Sequence, residues 1–214
     1  VDFLEQKLRD DENLMKEAIE VLVAYCEREK NVPAIVTFRP IWEGGEHDGD
    51  EEVRLRCLWH AFECGATYVD CELLAIERFE RAKQSSTTYE KKPTQMLICS
   101  THDYEKTPEL DTLFMEKYEK IRANKLCDIA KIACVCTDIN DVARLKKVLE
   151  KAARDDYPCA CLGMSEHGVI SRFLASKYGS YLTFGSIRAG FESAPGQPTL
   201  EDLTFENDCD VLTE

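Results

Sequence analysis

The chain has 214 residues, enough for one substantial hydrophobic core or two small ones. With 44% hydrophobic and 32% charged residues it has the composition of an ordinary globular protein, and 41 acidic against 27 basic residues leave a net charge of -14. That field repels polyanions, so nucleic acid and anionic membrane surfaces are not expected as partners. A small anionic metabolite stays compatible with it, because screening over about 8 Å lets a few local cations outweigh a distant excess.

Eleven cysteines are present, with no C-x-x-C pair and no histidine at zinc-finger spacing. Cys134 and Cys136, like Cys159 and Cys161, fall two apart in expected strands and therefore share a face, opposite Lys131 and Met164 respectively. They read as small hydrophobes packed toward helices rather than as a metal site, and a reducing compartment is expected. No run approaches the ~20 apolar residues of a transmembrane helix. The opening VDFLEQKLRD is no signal peptide, and without an initiator Met the chain reads as a fragment or a processed product.

In chain order, Leu14, Met15, Ala18, Ile19, Leu22, Val23 and Cys26 recur at helical spacing and predict a helix over 11–29, stopped by Val32-Pro33. Residues 34–38 (AIVTF) predict a buried strand, followed by the loop WEGGEHDGD. Val53, Cys57, Leu58, Ala61 and Phe62 mark a second helix closed by Gly65. Then come a strand at 68–73, a helix at 74–84, a polar surface loop SSTTYEKKPTQ, and a strand at 96–100 that runs out at Thr101-His102. Thr107 is expected to cap the next helix with Pro108 at its first position, and Leu110, Leu113, Phe114, Tyr118 and Ile121 form its apolar face. Strand 129–133, a helix capped by Asp138, strand 158–164, a short helix over 170–178 and strand 181–185 complete the series. Six nearly continuous apolar strands alternating with helices predict an α/β fold with a parallel sheet covered by helices. An open doubly wound sheet would suit the count, although no G-x-G-x-x-G follows any strand and its nucleotide-binding version loses support; a β/α barrel is the other candidate, and the chain is two strands short of the usual eight.

The chemistry centres on Asp128-Ile129-Ala130-Lys131-Ile132-Ala133, a lysine in an apolar run. An ammonium there costs several kcal/mol to bury, the usual relief is partial neutrality, and a desolvated neutral amine attacks carbonyls. A lysine at a strand end, snorkelling to water, is the simpler reading of that residue taken alone. Other polar residues gather at strand C-termini, where a barrel builds its site: Arg39 and Glu43, His102, and Met164 followed by Ser165. An imine on lysine would acidify the neighbouring carbon, and a histidine could move its proton to a leaving group. A carboxylate could hold the imidazole, and arginine could clamp a substrate carboxylate. His102 could equally begin a helix, and Glu43 could be a solvated loop acid. Asp70 and Glu72 alternate on one strand face, pointing into a polar interior or pairing with Arg or Lys, with the interior reading favoured. Residues 185–190 (GSIRAG) hint at a phosphate loop but read as a turn without G-K-[ST]. Arg78, Arg81 and Lys83 read as a solvated helix face.

FRPIWEGGE, STHDYEKTP, DIAKIA, EHGVISRFL, YLTFG and ESAPGQPT, in that order, resemble the type I 3-dehydroquinate dehydratase family, most nearly the dehydratase half of the plant bifunctional dehydratase and shikimate dehydrogenase. The likeness runs from Val1 to Leu203 and implies a (β/α)8 TIM-type barrel lacking its first two strands here, over 1–203, followed by an acidic tail at 204–214. It implies a hydro-lyase of the shikimate pathway that converts 3-dehydroquinate to 3-dehydroshikimate by syn elimination. By resemblance Lys131 forms the imine, His102 is the general base, and Glu43 orients and tunes it. Arg172, Ser193 and Gln197 hold the substrate carboxylate and close a loop over it, Arg39 contacts a substrate hydroxyl, and Met164 and Phe184 wall the pocket. No metal and no cofactor are implied. A homodimer, a fused shikimate dehydrogenase domain in the parent protein, and a cytoplasmic or, in a plant, plastid-stromal location follow as expectations. Two rivals are a non-catalytic metabolite-binding or regulatory barrel and a lysine aldolase, the latter disfavoured by SAPGQ and GVISR.

Overall fold

The computed structural model describes residues 11–86 and 89–209, with 84–86 and 205–209 described by their backbone alone. The first ten residues, including the Val1-Asp2-Phe3-Leu4 segment, lie outside it. Helix α1 (Glu12–Val23) passes into a π-helical turn (Ala24–Glu29) and is followed by β1 (Ile35–Thr37), α2 (Glu51–Cys64), β2 (Tyr68–Glu72), α3 (Ile76–Ser86) and β3 (Met96–Asp103). Helix α4 spans 110–123 with a π-helical middle at Leu113–Tyr118. It precedes β4 (Ile129–Val135), α5 (Ile139–Arg154), β5 (Cys159–Met164), the single turn α6 (Ile170–Phe173) and α7 (Leu200–Cys209). The strands stand in chain order, β1-β2-β3-β4-β5. The chain divides into two compact units, one up to Thr101 together with Lys125–Asp128, the other His102–Asn124 together with the residues from Ile129 onward.

In the first unit β1, β2 and β3 pair in parallel, Val36 beside Val69 and Val69 beside Leu97. Its helices begin where the sequence supplies acceptors for orphan amides: Asp11 takes the Asn13 and Leu14 N–H groups, and Asp50 takes those of Glu52 and Val53. Gly65 closes α2 at φ 105°, a conformation that an L side chain resists. Met15, Ile19 and Val23 of α1 and Leu55, Leu58, Trp59 and Phe62 of α2 are buried, and the Trp59 ring stacks on Phe79 at 4.6 Å while its N–H donates to the Phe79 carbonyl. Glu27 ties the end of the first helical segment to the strands by accepting from Ala34 N, Thr67 N and Thr67 Oγ1. Burial works against its charge, but these donors hold its carboxyl below the ordinary value.

The polar loop before β3 is stitched more tightly than its composition suggests. Gln95 Nε2 donates to the carbonyls of Phe62 at 2.8 Å and Ala66 at 2.9 Å, and its Oε1 accepts from Lys92 N and Tyr89 OH. Asp128 accepts from Leu97 N and from Lys91 Nζ. Arg78 pairs with Glu52 in the open, as the solvated-face reading requires, whereas Lys83 lies over the Trp59 ring.

In the second unit β4 and β5 pair in parallel, with Lys131 beside Ala160 and Val135 beside Met164. Asp138 caps α5 through the Asn140 N–H, as expected. Several expectations need correction. Thr107 does not cap a helix: the cap is Glu109, and Thr107 Oγ1 instead donates to the Val135 carbonyl at the end of β4. The strand expected to stop at 100 continues through Asp103, so His102 lies in a strand and begins no helix. The segment 181–185 is no strand; Tyr181 N donates to Cys159 O, and Ser186 forms a lone bridge with Thr199. Its backbone makes single bonds where a strand would make a ladder. The expected 170–178 helix is one turn, and α7 crosses the 203/204 boundary. Among the described residues no helix is long and apolar enough to cross a membrane.

Because Gln95 satisfies two buried carbonyls at once, Gln95→Ala should destabilise the chain by about 2–4 kcal/mol, the penalty for stranding two buried acceptors. Chemical denaturation measures it, and a change within about 0.5 kcal/mol, the range of ordinary surface substitutions, would show that water replaces the side chain.

Candidate active site

Strand β4 is buried along almost its whole length, Lys131 included at 7% exposure. Its side chain shares a face with Ala133, and Nζ stands 4.6 Å from the centroid of the Phe184 ring, which offers the ammonium the negative face of a π system. Ala133, Leu162 and Met164 form a buried cluster to which Val135, Phe184 and Ala194 pack.

The same Phe184 meets a second cation. Arg172 Nη1 donates to the Phe184 carbonyl at 3.4 Å and Nε donates to the Gly163 carbonyl at 3.2 Å. The guanidinium is 2% exposed, and among the described residues no carboxylate pairs with it. Burial pushes it down to about 10, with Cys136 and Tyr104 opposing weakly. A cation held only by carbonyl dipoles pays an unrelieved desolvation cost, and a planar anion that bonds bidentately would relieve it.

The local sequence explains how the arginine is held. On the outer edge of β5 the peptide of Gly163 has no strand partner; its N–H donates to Ser171 Oγ at 2.7 Å and its C=O accepts from Arg172. Ser171 Oγ in turn donates to Gly168 O. A Cβ on Gly163 would stand 2.7 Å from Gly168 Cα, so the close approach requires glycine at both positions. The spacing of Gly163, Gly168, Ser171 and Arg172 is thus a positioning device, and only the arginine was legible as chemistry. Ser193 and Gln197 lie in the same unit and are bonded to each other: Gln197 Oε1 accepts from Ser193 N at 2.6 Å and Ser193 Oγ at 3.0 Å. The loop docks on the end of β5 through Ser165 N to Pro195 O, and Gly196, at φ 74°, leaves no room for a Cβ, which would meet Ser165 O at 2.5 Å. His102 is half-buried near the end of β3, its ring 6.3 Å from that of Tyr104.

Arg39 and Glu43 belong to the other unit. Arg39 is buried with its guanidinium bonded to Asp70 at 2.8 Å, Glu72 at 2.6 Å and Ser100 Oγ at 2.7 Å, while Ser100 donates to Asp70. Arg54, fully buried and unnoticed in the sequence, bonds Glu72 at 2.8 Å and the Phe38 carbonyl. Of the two readings of Asp70 and Glu72, pairing with arginine is the one seen, because two fully buried carboxylates require cations. Burial opposes the charge on Arg39, but Asp70 and Glu72, then Glu43, hold it above the ordinary arginine value. Glu72 is pushed up by burial despite both arginines. Glu43 is buried in the turn Ile41–Glu43, which folds back so closely that a Cβ on Gly45 would lie 2.1 Å from Arg39 O. The ten described cysteines are free thiols, eight of them buried.

The type I 3-dehydroquinase family pattern matches residues 1–205. The chloroplastic bifunctional 3-dehydroquinate dehydratase/shikimate dehydrogenase of Arabidopsis thaliana is 41% identical over 175 residues, 80% of this chain and 27% of that protein. A 3-dehydroquinate dehydratase of Methanococcus maripaludis is 37% identical over 172 residues, 80% of this chain and 74% of the relative. The Geobacillus kaustophilus 3-dehydroquinate dehydratase structure superposes with a TM-score of 0.82 at 24% identity, covering 100% of this chain and 79% of that one. The type I enzyme of Clostridium difficile, solved with covalent modified comenic acid, gives 0.78 at 25% identity over 98% and 78%. An α/β chain with this strand order, a buried lysine on β4 and these relatives belongs to the type I 3-dehydroquinase family, hydro-lyases with the TIM-type barrel fold that act as 3-dehydroquinate dehydratases of the shikimate pathway.

Proposed function

We propose that this chain's own dehydratase chemistry runs through Lys131, with Arg172 holding the carboxylate of 3-dehydroquinate. The observation that carries this reading is Phe184, whose ring faces the Lys131 amine and whose carbonyl accepts from Arg172. One residue thus puts an amine for a ketone and a guanidinium for a carboxylate at opposite ends of the same wall. Lys131 Nζ adds to the ketone and water leaves, giving an iminium that draws electrons from the adjacent C–H bond. His102 takes that proton and returns it to the departing hydroxyl, so water is lost, and hydrolysis of the imine frees the product and the lysine. Glu43 is assigned the orienting carboxylate, Arg39 the hydroxyl contact, and Ser193 with Gln197 the closing loop, on the motifs alone. The covalent modification in the Clostridium difficile relative supports a covalent route. A homodimer, fusion to a shikimate dehydrogenase as in the Arabidopsis protein, and a plastid location are parts of the same proposal.

Borohydride reduction with 3-dehydroquinate should trap an adduct on Lys131, located by peptide mass. Lys131→Ala should lose adduct and turnover together. His102→Ala should still form the adduct but turn over on the order of a hundred- to ten-thousand-fold more slowly, the usual worth of a general base. Full rate in that variant would remove His102 from its role, and binding without turnover in the unaltered chain would favour the metabolite-binding rival.

Arg172 supplies a pH test. A guanidinium depressed to about 10 is charged below that pH and neutral above it. In Lys131→Ala, where no imine forms, affinity for a carboxylate ligand should be flat at neutral pH and fall roughly tenfold per pH unit above about 10. Arg172→Met should cost about 30-fold or more in affinity, the worth of a charge-assisted pair, and abolish that pH dependence. An unchanged profile in Arg172→Met would place the carboxylate elsewhere.

A further inference from the structure

Away from the residues already discussed, α1 and α2 bring three metal-ligating atoms together. Glu20 Oε1 lies 2.9 Å from His60 Nε2, and Cys64 Sγ lies 3.3 Å from the same nitrogen. All three ligand atoms fall within 4.8 Å of one another. Ligands ~2.0–2.3 Å from a tetrahedral zinc stand roughly 3.3–3.8 Å apart, so small side-chain rotations would admit the ion. His60 and Cys64 are one helical turn apart on α2 and project from one face, while Glu20 reaches across from α1. A fourth residue completes the pattern: Glu63 Oε2 lies 3.0 Å from His60 Nδ1, the arrangement in which a carboxylate fixes the tautomer and ring angle of a metal-bound histidine. The atoms line an open cleft of about 480 Å³ together with Val21, Ala24 and Arg28, which leaves a path for the ion and room for a solvent ligand.

A divalent ion between Nε2, Glu20 and Cys64 would draw one ligand atom from each of the three side chains. We propose that Glu20, His60 and Cys64, with Glu63 as the positioning carboxylate, form a binding site for a borderline-soft divalent cation of the zinc class. One oxygen, one nitrogen and one sulfur ligand match zinc and cobalt(II) better than magnesium or calcium, which take oxygen. Bound there, the ion would cross-link α1 to α2.

The test uses the whole chain, treated with chelator and titrated with cobalt(II) and then zinc. One equivalent of cobalt should give a thiolate-to-cobalt charge-transfer absorption, which zinc removes by displacement. Cys64→Ser should lose the band, His60→Ala should weaken binding at least tenfold, and Cys26→Ser should leave both unchanged. Glu20→Gln, an exposed change on the other helix that should leave folding intact, should weaken cobalt binding, and zinc should raise the Tm of the unaltered chain but not of Cys64→Ser. Absence of the charge-transfer band, its retention in Cys64→Ser, or a zinc affinity weaker than about 100 μM, equivalent to roughly -5 kcal/mol, would overturn the proposal. Unchanged dehydratase activity in Cys64→Ser would keep this outcome separate from the fate of the Lys131 chemistry.

Discussion

The peptide group of Gly163 is the constraint on which the second unit turns. Residues of β5 with odd numbers aim their backbone groups away from β4, and an edge strand must place those groups somewhere. At Cys159 the carbonyl goes to Tyr181 N; at Gly163 both groups go to side chains, Ser171 and Arg172. The chain after β5 therefore returns at once, in the single turn of α6, and delivers a guanidinium to the strand end. Without a side chain at Gly163 and Gly168 the two backbones approach far enough for those bonds to form.

The two units use buried arginine in opposite ways. Arg39 and Arg54 face Asp70, Glu72 and Glu51, and the attraction of the acids overrides the burial that works against their charge. These groups fix structure, since breaking a buried pair leaves an uncompensated charge. Arg172 has carbonyls for company and is lowered by the same burial. A cation kept short of its counter-ion is preorganised to accept one.

The sequence announced much of this through local rules. A lysine in an apolar run marked β4, Asp138 marked a helix start, and apolar segments alternating with helices marked the parallel strands. What it hid depends on distant partners. Thr107-Pro108 carries the signature of a helix start, yet the Thr107 hydroxyl finds a better acceptor at Val135, 28 residues on. Thr-His-Asp has little strand propensity, so the continuation of β3 through Asp103 could not be seen in its composition. The segment 181–185 is apolar and reads as a strand, yet Tyr181 is exposed and the backbone makes isolated bonds rather than a ladder. Glu20 lies 40 residues from His60, beyond the reach of any spacing rule.

The cysteines bear on how the molecule can be observed. Cys57, Cys71, Cys99 and Cys127 are buried in the first unit and Cys134, Cys136, Cys159 and Cys161 in the second. Burial holds Cys57 at about 11 and Cys134 at about 12, far from the thiolate that alkylating reagents attack. Each of these sulfurs becomes reactive only when its surroundings open. The chain thus carries inherent reporters of partial unfolding, and the order in which its thiols become labelled would chart which parts of the molecule loosen first.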